Sequence, residues 1–454
     1  MTPRTLDEAR AWLLARAAAR AACVEVYTER RSSTTVRAFG LEVSEFVVAE
    51  RAGLGVRALV DGAWGYCYTE RLSDEALERC LRAALEHAAL TTPERGAVLA
   101  AHPEPPHVGD LYGEGLSGVT VEAKVAAAIE IERAARAADP RVASVPFAGY
   151  TDGQVEIGVF NSAGLQRSYR RNHVAHYVYP LVSERGETKM SLEVQVTREF
   201  DRLDPAGTAL EAVRRSVERL GARPAPSGAF AVVMDRRCLT TLLGAYAELF
   251  NGLLVEEHKS PLDGRLGQPI AADLVTVRDD ATLVGGLASR PVDDEGYPSA
   301  PLTLVARGVL TSFLHNTATA ARAGATSTGH AARDDHRSAL SVAPTNFYLE
   351  PGTGTQGELI AAVGAGVLLT QVHGTHAGAN LATGDFSLEA EGFWIEDGAR
   401  AHPLEVFTVA GNFLTLLRDI EAVADDLWFE QDGIGAPSVR VRALSVAGSR
   451  AAPG

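Results

Sequence analysis

The chain has 454 residues, too many for one hydrophobic core, so two or three domains are expected. Its 58 acidic and 43 basic residues leave a formal charge of −15, which argues against a surface that tracks nucleic-acid phosphates. Cys23, Cys67, Cys80 and Cys238 lie far apart with no CxxC pair, which argues against a disulfide scaffold or zinc ribbon, and no apolar run reaches the ~20 residues of a bilayer span.

The first segment, to about Ala22, has apolar stretches, but Asp7, Glu8 and scattered Arg interrupt them all. It reads as an amphipathic helix from Thr5 to Ala22 and not as a secretion signal, and the expected location is the cytoplasm. A β-branched run, Val24 to Thr28, follows. Val36 to Tyr68 then alternates apolar and polar residues, which predicts three or four antiparallel strands with turns at Gly40, Gly53 and Asp61-Gly62. Ser73 caps a helix running to about Ala89. The Pro-rich stretch Ala97 to Leu111 is a predicted linker.

A second unit repeats the order of helix, strands and helix. Val121 to Ala138 is an Ala-rich helix, and Val142 to Phe200 a long β stretch with predicted turns at Asp152-Gly153, Ala163-Gly164 and Arg185-Gly186. Pro205 to Leu220 is its closing helix, and Ala222 to Ser227 a second linker. The basic cluster Arg167 to Arg171 alternates with polar residues as one face of a strand does. From Gly228 the texture changes. Phe230 to Met234 is a strand of buried type and Arg237 to Gly252 a helix. Short apolar runs follow, at Leu274-Val277, Leu302-Val305, Phe347-Leu349, Val367-Thr370, Phe393-Ile395 and Val439-Val446. The fold class is therefore α+β: two helix–sheet units at 1–110 and 111–226, then a β-rich domain at 227–454.

A zinc hydrolase needs ligands pre-placed by secondary structure, commonly two His one helical turn apart with a Glu base. No HExxH or HExxxH occurs, and no GxSxG. His173 and His176 fall in a strand-like run, on opposite faces. His373 and His376 sit in a Gly-rich loop, QVHGTHAGAN, where shared ligation, peptide contact and local loop structure all stay open. Gly352 to Gly357 spells GTGTQG between a strand and a helix, but no acid follows at the distance of a ribose partner, so it reads as a turn and not a dinucleotide site. Asp293-Asp294-Glu295-Gly296 could ligate Mg²⁺ or Ca²⁺. It lacks the DxDxDG spacing, and its Gly favours a tight turn whose carboxylates cap backbone N–H groups.

The C-terminal half resembles the TldD/PmbA family of peptidases in the order of its motifs. These are RLGQPIA (265–271), LVTVRDDATL (274–283), PVDDEG (291–296), STGHAAR (327–333), PTNFYLEPG (344–352), GDFSLEAEGFWIEDG (384–398) and TVAGN (408–412); GLGVRALVDGAWGY (53–66) extends the likeness more loosely to the N-terminal half. In that family TldD-type chains carry HExxxH on the helix after the first C-terminal-domain strand, with a late Cys, and bind zinc. PmbA/TldE-type chains lack them and pair with a TldD-type chain.

Here the equivalent helix reads CLTTLLGAYAELFNGLL, with Leu243 and Glu248 at the His positions and Gly244 at the Glu position. The late segment LWFEQDGIGAPSVRV holds no Cys. The resemblance therefore implies a non-catalytic, metal-free subunit of a heterodimeric zinc metallopeptidase. It implies no cofactor or metal in this chain, zinc in an HExxxH-bearing partner, and a shared cavity for short or unfolded peptides. His373, His376, Asn380, Asp385 and Phe386 are the candidate cavity residues. Two other readings stand beside it: an autonomous metallopeptidase with a displaced site on His373, His376 and Asp385, and a non-enzymatic peptide-binding or regulatory module.

Overall fold

The computed structural model describes residues 4–20 and 22–448. Helix α1 (Leu6–Ala18) starts where Thr5 and Glu8 close a reciprocal capping box, and it buries Ala9, Leu13 and Ala17. It stops short of the predicted end at Ala22, and Ala21 lies outside the described residues. Three long strands follow, β1 (Cys23–Phe39), β2 (Glu42–Val60) and β3 (Ala63–Thr69), then α2 (Asp74–Leu90), capped by Ser73. The second unit contributes α3 (Val121–Ala138), β4 (Val142–Asn161), β5 (Gln166–Glu184), β6 (Glu187–Met190), β7 (Glu193–Thr197) and α4 (Pro205–Val217).

Two predicted turns are absent. Gly53 lies inside β2 opposite Glu29, and Gly153 inside β4 opposite Ser33. Both glycines make room for a ring, His336 of the C-terminal domain over Gly53 and His173 of the paired strand β5 directly opposite Gly153. A Cβ on Gly53 would stand 2.2 Å from the His336 ring, and one on Gly153 would stand 2.5 Å from the His173 ring. The turns at Gly40, Asp61-Gly62, Gly164 and Arg185-Gly186 are present, each with positive φ.

The two N-terminal units share one seven-stranded sheet in the order β3-β2-β1-β4-β5-β6, with β7 also on β5. Alternation divides its faces. On one face α1 and α2 pack over Val24, Val26, Leu54 and Val56, and α3 and α4 pack over Val145, Ala148, Val178 and Val182. The opposite face, carrying Glu25, Tyr27, Arg31 and Arg57, turns toward the C-terminal domain.

That domain is β-rich. Its first strand, β8 (Gly228–Met234), lies between Ala365–His373 and Val439–Ala447 in a second seven-stranded sheet. Ala365–His373 also pairs with Asp385–Glu396, so the ladder closes on itself. Helix α5 (Arg236–Tyr246) follows β8 and is capped by Asp235. It gives way to a 3₁₀ turn, Ala247–Phe250, where the sequence predicts one helix continuing to Gly252. A six-stranded sheet containing Val277–Asp280, Pro301–Ala306 and Phe347–Leu349 completes the domain. The GTGTQG stretch is a capped turn: Thr355 and Glu358 form a capping box into helix Gln356–Ala361. No helix among the described residues is long and apolar enough to cross a membrane.

Candidate functional site

On α5, Leu243 is buried to 1% exposure in the main core beside Leu239, Leu242 and Tyr246. Gly244 presents no side chain. A Cβ there would meet Ile434 at 3.6 Å, an ordinary contact, so crowding does not explain the glycine. Glu248 stands beyond the end of α5, in the 3₁₀ turn, where its Oε2 accepts a 2.9 Å hydrogen bond from Asn251 Nδ2. The late segment expected from sequence to hold no thiolate runs against this helix. Besides the Gly244–Ile434 approach, the Arg237 guanidinium stacks 4.7 Å from the Trp428 ring. Ile434 and the Arg237–Trp428 stack therefore occupy the contact between helix and late segment.

The five candidate cavity residues cluster at one end of the second sheet but differ in role. His373 ends its strand with Nε2 3.4 Å from Glu391 Oε1, and Glu391 also binds Arg219. The Glu391 hydrogen bond raises the His373 pKa against the opposing effect of burial. His376 is exposed on the short helix Thr375–Gly378. Asn380 Oδ1 accepts from the Ala382 and Thr383 amides, which folds the turn before Asp385. Exposed Asp385 accepts from Asn412 Nδ2 at 3.0 Å, which with Thr383 holds its pKa below the carboxylate norm. Phe386 is 4% exposed and belongs to the core beneath, leaving His376, Asn380 and Asp385 as the exposed members.

The acidic cluster is a buried turn, as its Gly suggests. Asp293 Oδ1 accepts from the Glu295 and Tyr297 amides at 2.9 Å each and Oδ2 from the Ala331 amide at 3.1 Å, while Gly296 sits at φ 76°. Asp294 accepts from the Arg333 amide at 2.7 Å. Glu295 reaches across to the N-terminal sheet and binds Arg57 at 2.9 Å. Most of these carboxylate oxygens are taken up by backbone donors and Arg57, while Asp294 Oδ1 is buried and finds no donor among the described residues. No group of three or more His, Cys, Asp or Glu suited to a metal occurs among the described residues. Beside this turn, between the N-terminal sheet and the C-terminal domain, lies a cavity of about 710 Å³. Sequence reading missed it, because its walls come from strands of both N-terminal units and four separate C-terminal segments. The one local signal was the alternating basic run, which places Tyr169, Arg171 and His173 on the cavity side of β5.

Three family models cover the chain in order: PmbA/TldA metallopeptidase domain 1 at residues 24–88, the central domain at 114–220 and the C-terminal domain at 227–448. The chain belongs to the PmbA/TldD metallopeptidase family. It is 26% identical to the metalloprotease PmbA of Escherichia coli O157:H7, over 98% of this chain and 96% of that one. A Thermotoga maritima crystal structure described as a putative modulator of a DNA gyrase superposes with a TM-score of 0.91 at 28% identity, covering 98% of this chain and all of that one. TldE from Thermococcus kodakarensis, at 22% identity and a TM-score of 0.86 over 97% of this chain and all of that one, has the same fold.

The resemblance places a TldD-type chain's zinc on the helix equivalent to α5, and the residues here do not fit one. Leu243 has no donor atom, Gly244 leaves no general base, and Glu248 alone offers one carboxylate where such a site takes three protein ligands. The neighbouring late segment supplies Ile434 and no thiolate. No chemical step is assigned to a metal in this chain.

Proposed function

We propose that this chain is the metal-free, PmbA/TldE-type subunit of a cytoplasmic heterodimeric metallopeptidase, in which a TldD-type chain supplies the zinc and both enclose a cavity for short or unfolded peptides. The observation that carries this reading is the replacement of ligand and base positions on α5 by Leu243 and Gly244, with Leu243 sunk in the core. A helix that merely lost its ligands on an otherwise polar surface would leave a hole or stranded polar groups. Here the helix and the late segment pack through core residues Leu243 and Ile434 and a stack of Arg237 on Trp428, as a folded, selected alternative does. The exposed turn of His376, Asn380 and Asp385 offers donors and acceptors to an extended peptide, which is bound largely through its backbone.

The test is metal analysis and peptidase assay of the purified chain alone and after addition of an HExxxH-bearing relative from the same organism. The expected result is substoichiometric zinc and no cleavage by the single chain, and chelator-sensitive cleavage by the pair. Robust chelator-sensitive cleavage by the lone chain overturns the reading.

A further inference from the structure

The cavity between the N-terminal sheet and the C-terminal domain is cationic in a chain of net charge −15. Arg31, Arg51, Arg171, Arg198, Arg290 and Arg333 line it, against Asp294 and Asp432. The strand registers show how deliberate the placement is. Arg51 of β2 lies directly opposite Arg31 of β1, Arg31 opposite Val155 of β4, and Val155 opposite Arg171 of β5. One rung across four strands thus carries three arginines on the same face. Like charges directly opposite in a sheet destabilise it, so this row works against folding unless something neutralises it.

The protein neutralises only part of it. Arg31 pairs with Glu29, Arg333 lies 3.4 Å from Glu25, and Arg290 reaches Asp294 only at 3.9 Å. Among the described residues Arg51 and Arg171 have no carboxylate within salt-bridge distance. Arg198 is held by the carbonyls of Asn172, Gly286 and Leu287, which fix its position without cancelling its charge. Burial, aided by nearby Arg171, pushes Arg198 down to about 10. The Nε–H groups of Arg198, Arg290 and Arg333 are buried and find no acceptor among the described residues. A buried donor left unpaired is costly, and a carboxylate within reach would satisfy it.

The rest of the lining selects among anions. Tyr27, Tyr169, Ile157 and Val196 interleave with the guanidinium groups, and the volume falls within the ~300–1,000 Å³ of ordinary ligand sites. Inorganic phosphate has no use for such walls, whereas a peptide places side-chain carboxylates and apolar groups at alternating positions. We propose that this cavity binds the carboxylate groups of an acidic peptide, with Arg51, Arg171 and Arg198 as the anchoring cations. The overall negative charge repels such a ligand at long range, while a cleft with basic walls focuses the field and draws it in at short range. The assignment rests on the peptide-handling reading above and adds to it a preference for acidic sequence.

The experiment is calorimetric titration of the full chain with the pentapeptide Ala-Glu-Tyr-Asp-Glu and with its amidated Gln/Asn counterpart. Both are repeated on Arg51→Gln and Arg171→Gln, and inorganic tripolyphosphate is run as a separate arm. The acidic peptide is expected to bind at least ~10-fold more tightly than the neutral one, and each substitution to remove about that factor, ~1.4 kcal/mol. Because both residues lack carboxylate partners, the unliganded variants should melt at or above the wild-type temperature, which guards against reading misfolding as lost binding. Equal affinity for the two peptides, or acidic-peptide binding indifferent to both substitutions, overturns the proposal. Arginine-dependent binding of tripolyphosphate without binding of the acidic peptide also overturns it, in favour of a phosphate ligand. Loss of the acidic preference while a neutral peptide still binds leaves the subunit reading standing. Partner-free cleavage overturns the subunit reading without touching the affinity comparison.

Discussion

Arg57 of strand β2 and Glu295 of the acidic turn meet at 2.9 Å, joining the N-terminal sheet to the C-terminal domain through a pair that is 9% and 5% exposed. The same Arg57 Nη2 lies 2.8 Å from Glu25, and its guanidinium stacks 4.0 Å from the Trp64 ring. Removing the cation would leave two carboxylates buried and facing each other. Arg57→Met is therefore expected to destabilise the protein by ~3–5 kcal/mol, the range for breaking one side of a buried pair. Arg57→Lys should recover only part, because an ammonium cannot span both carboxylates as a planar fork does. Urea unfolding of both variants checks this; a Met variant within ~1 kcal/mol of wild type would show the pair to be replaceable.

A second interdomain relationship is steric. Gly53 lies under the His336 ring, which is buried at 3% exposure and close to Glu29 and Glu70. Gly53→Ala should push that ring away and cost ~1–3 kcal/mol as overpacking. In a His336→Ala background the same substitution should be nearly neutral, since the space is then free. Thermal denaturation of the four-member cycle reads the coupling; additive effects would mean that the glycine serves the strand and not the contact.

These two contacts also explain what the sequence conceals. Helices with their own caps, at Thr5, Ser73 and Thr120, were legible because the start signal and the apolar period are local. The turns of Gly40, Asp61-Gly62 and Gly164 were legible for the same reason. Gly53 and Gly153 misled because a glycine that makes room for a ring, from a distant loop at Gly53 or from the neighbouring strand at Gly153, spells the same letter as one that makes a turn. The shared N-terminal sheet, in which β1 pairs with β4, depends on a pairing between separate units that no local pattern announces. At the candidate site, the expectation that Leu243 and Gly244 stand at ligand and base positions came from the family resemblance and not from any local pattern. The arginine row was not legible, because Arg31, Arg51 and Arg171 converge only through strand register.

The His373–Glu391 pair gives a pH signature. Hydrogen bonding to Glu391 raises the folded-state pKa of His373 above its ordinary value of about 6.5. A raised histidine contributes stability that is fully present below about 6.5 and disappears as the pH climbs through the folded-state value. His373→Gln should thus lower the melting temperature at pH 5.5 and do so much less at pH 9. The side chain is 38% exposed, so the effect belongs with screened pairs, about 0.2–1 kcal/mol. A loss of equal size at both pH values would assign the effect to packing.

Restoring the missing letters on α5 should not restore a zinc site. Leu243→His places a ring with two polar nitrogens where a side chain 1% exposed now packs against Leu239, Leu242 and Tyr246, with no partner for those nitrogens. Gly244→Glu directs a carboxylate toward Ile434, and Glu248→His replaces the acceptor that holds Asn251 at 2.9 Å. Glu248 also lies past the point where α5 tightens into a 3₁₀ turn, so positions 243 and 248 no longer share one regular helix. The triple variant is expected to lose ~2–5 kcal/mol, chiefly through Leu243, and to bind less than one zinc per chain. Metal analysis after dialysis against zinc, beside a thermal melt, decides the matter. Stoichiometric zinc in a stable triple variant would mean that the surroundings of α5 still fit a metal, and that the division of labour between subunits rests on these three side chains alone.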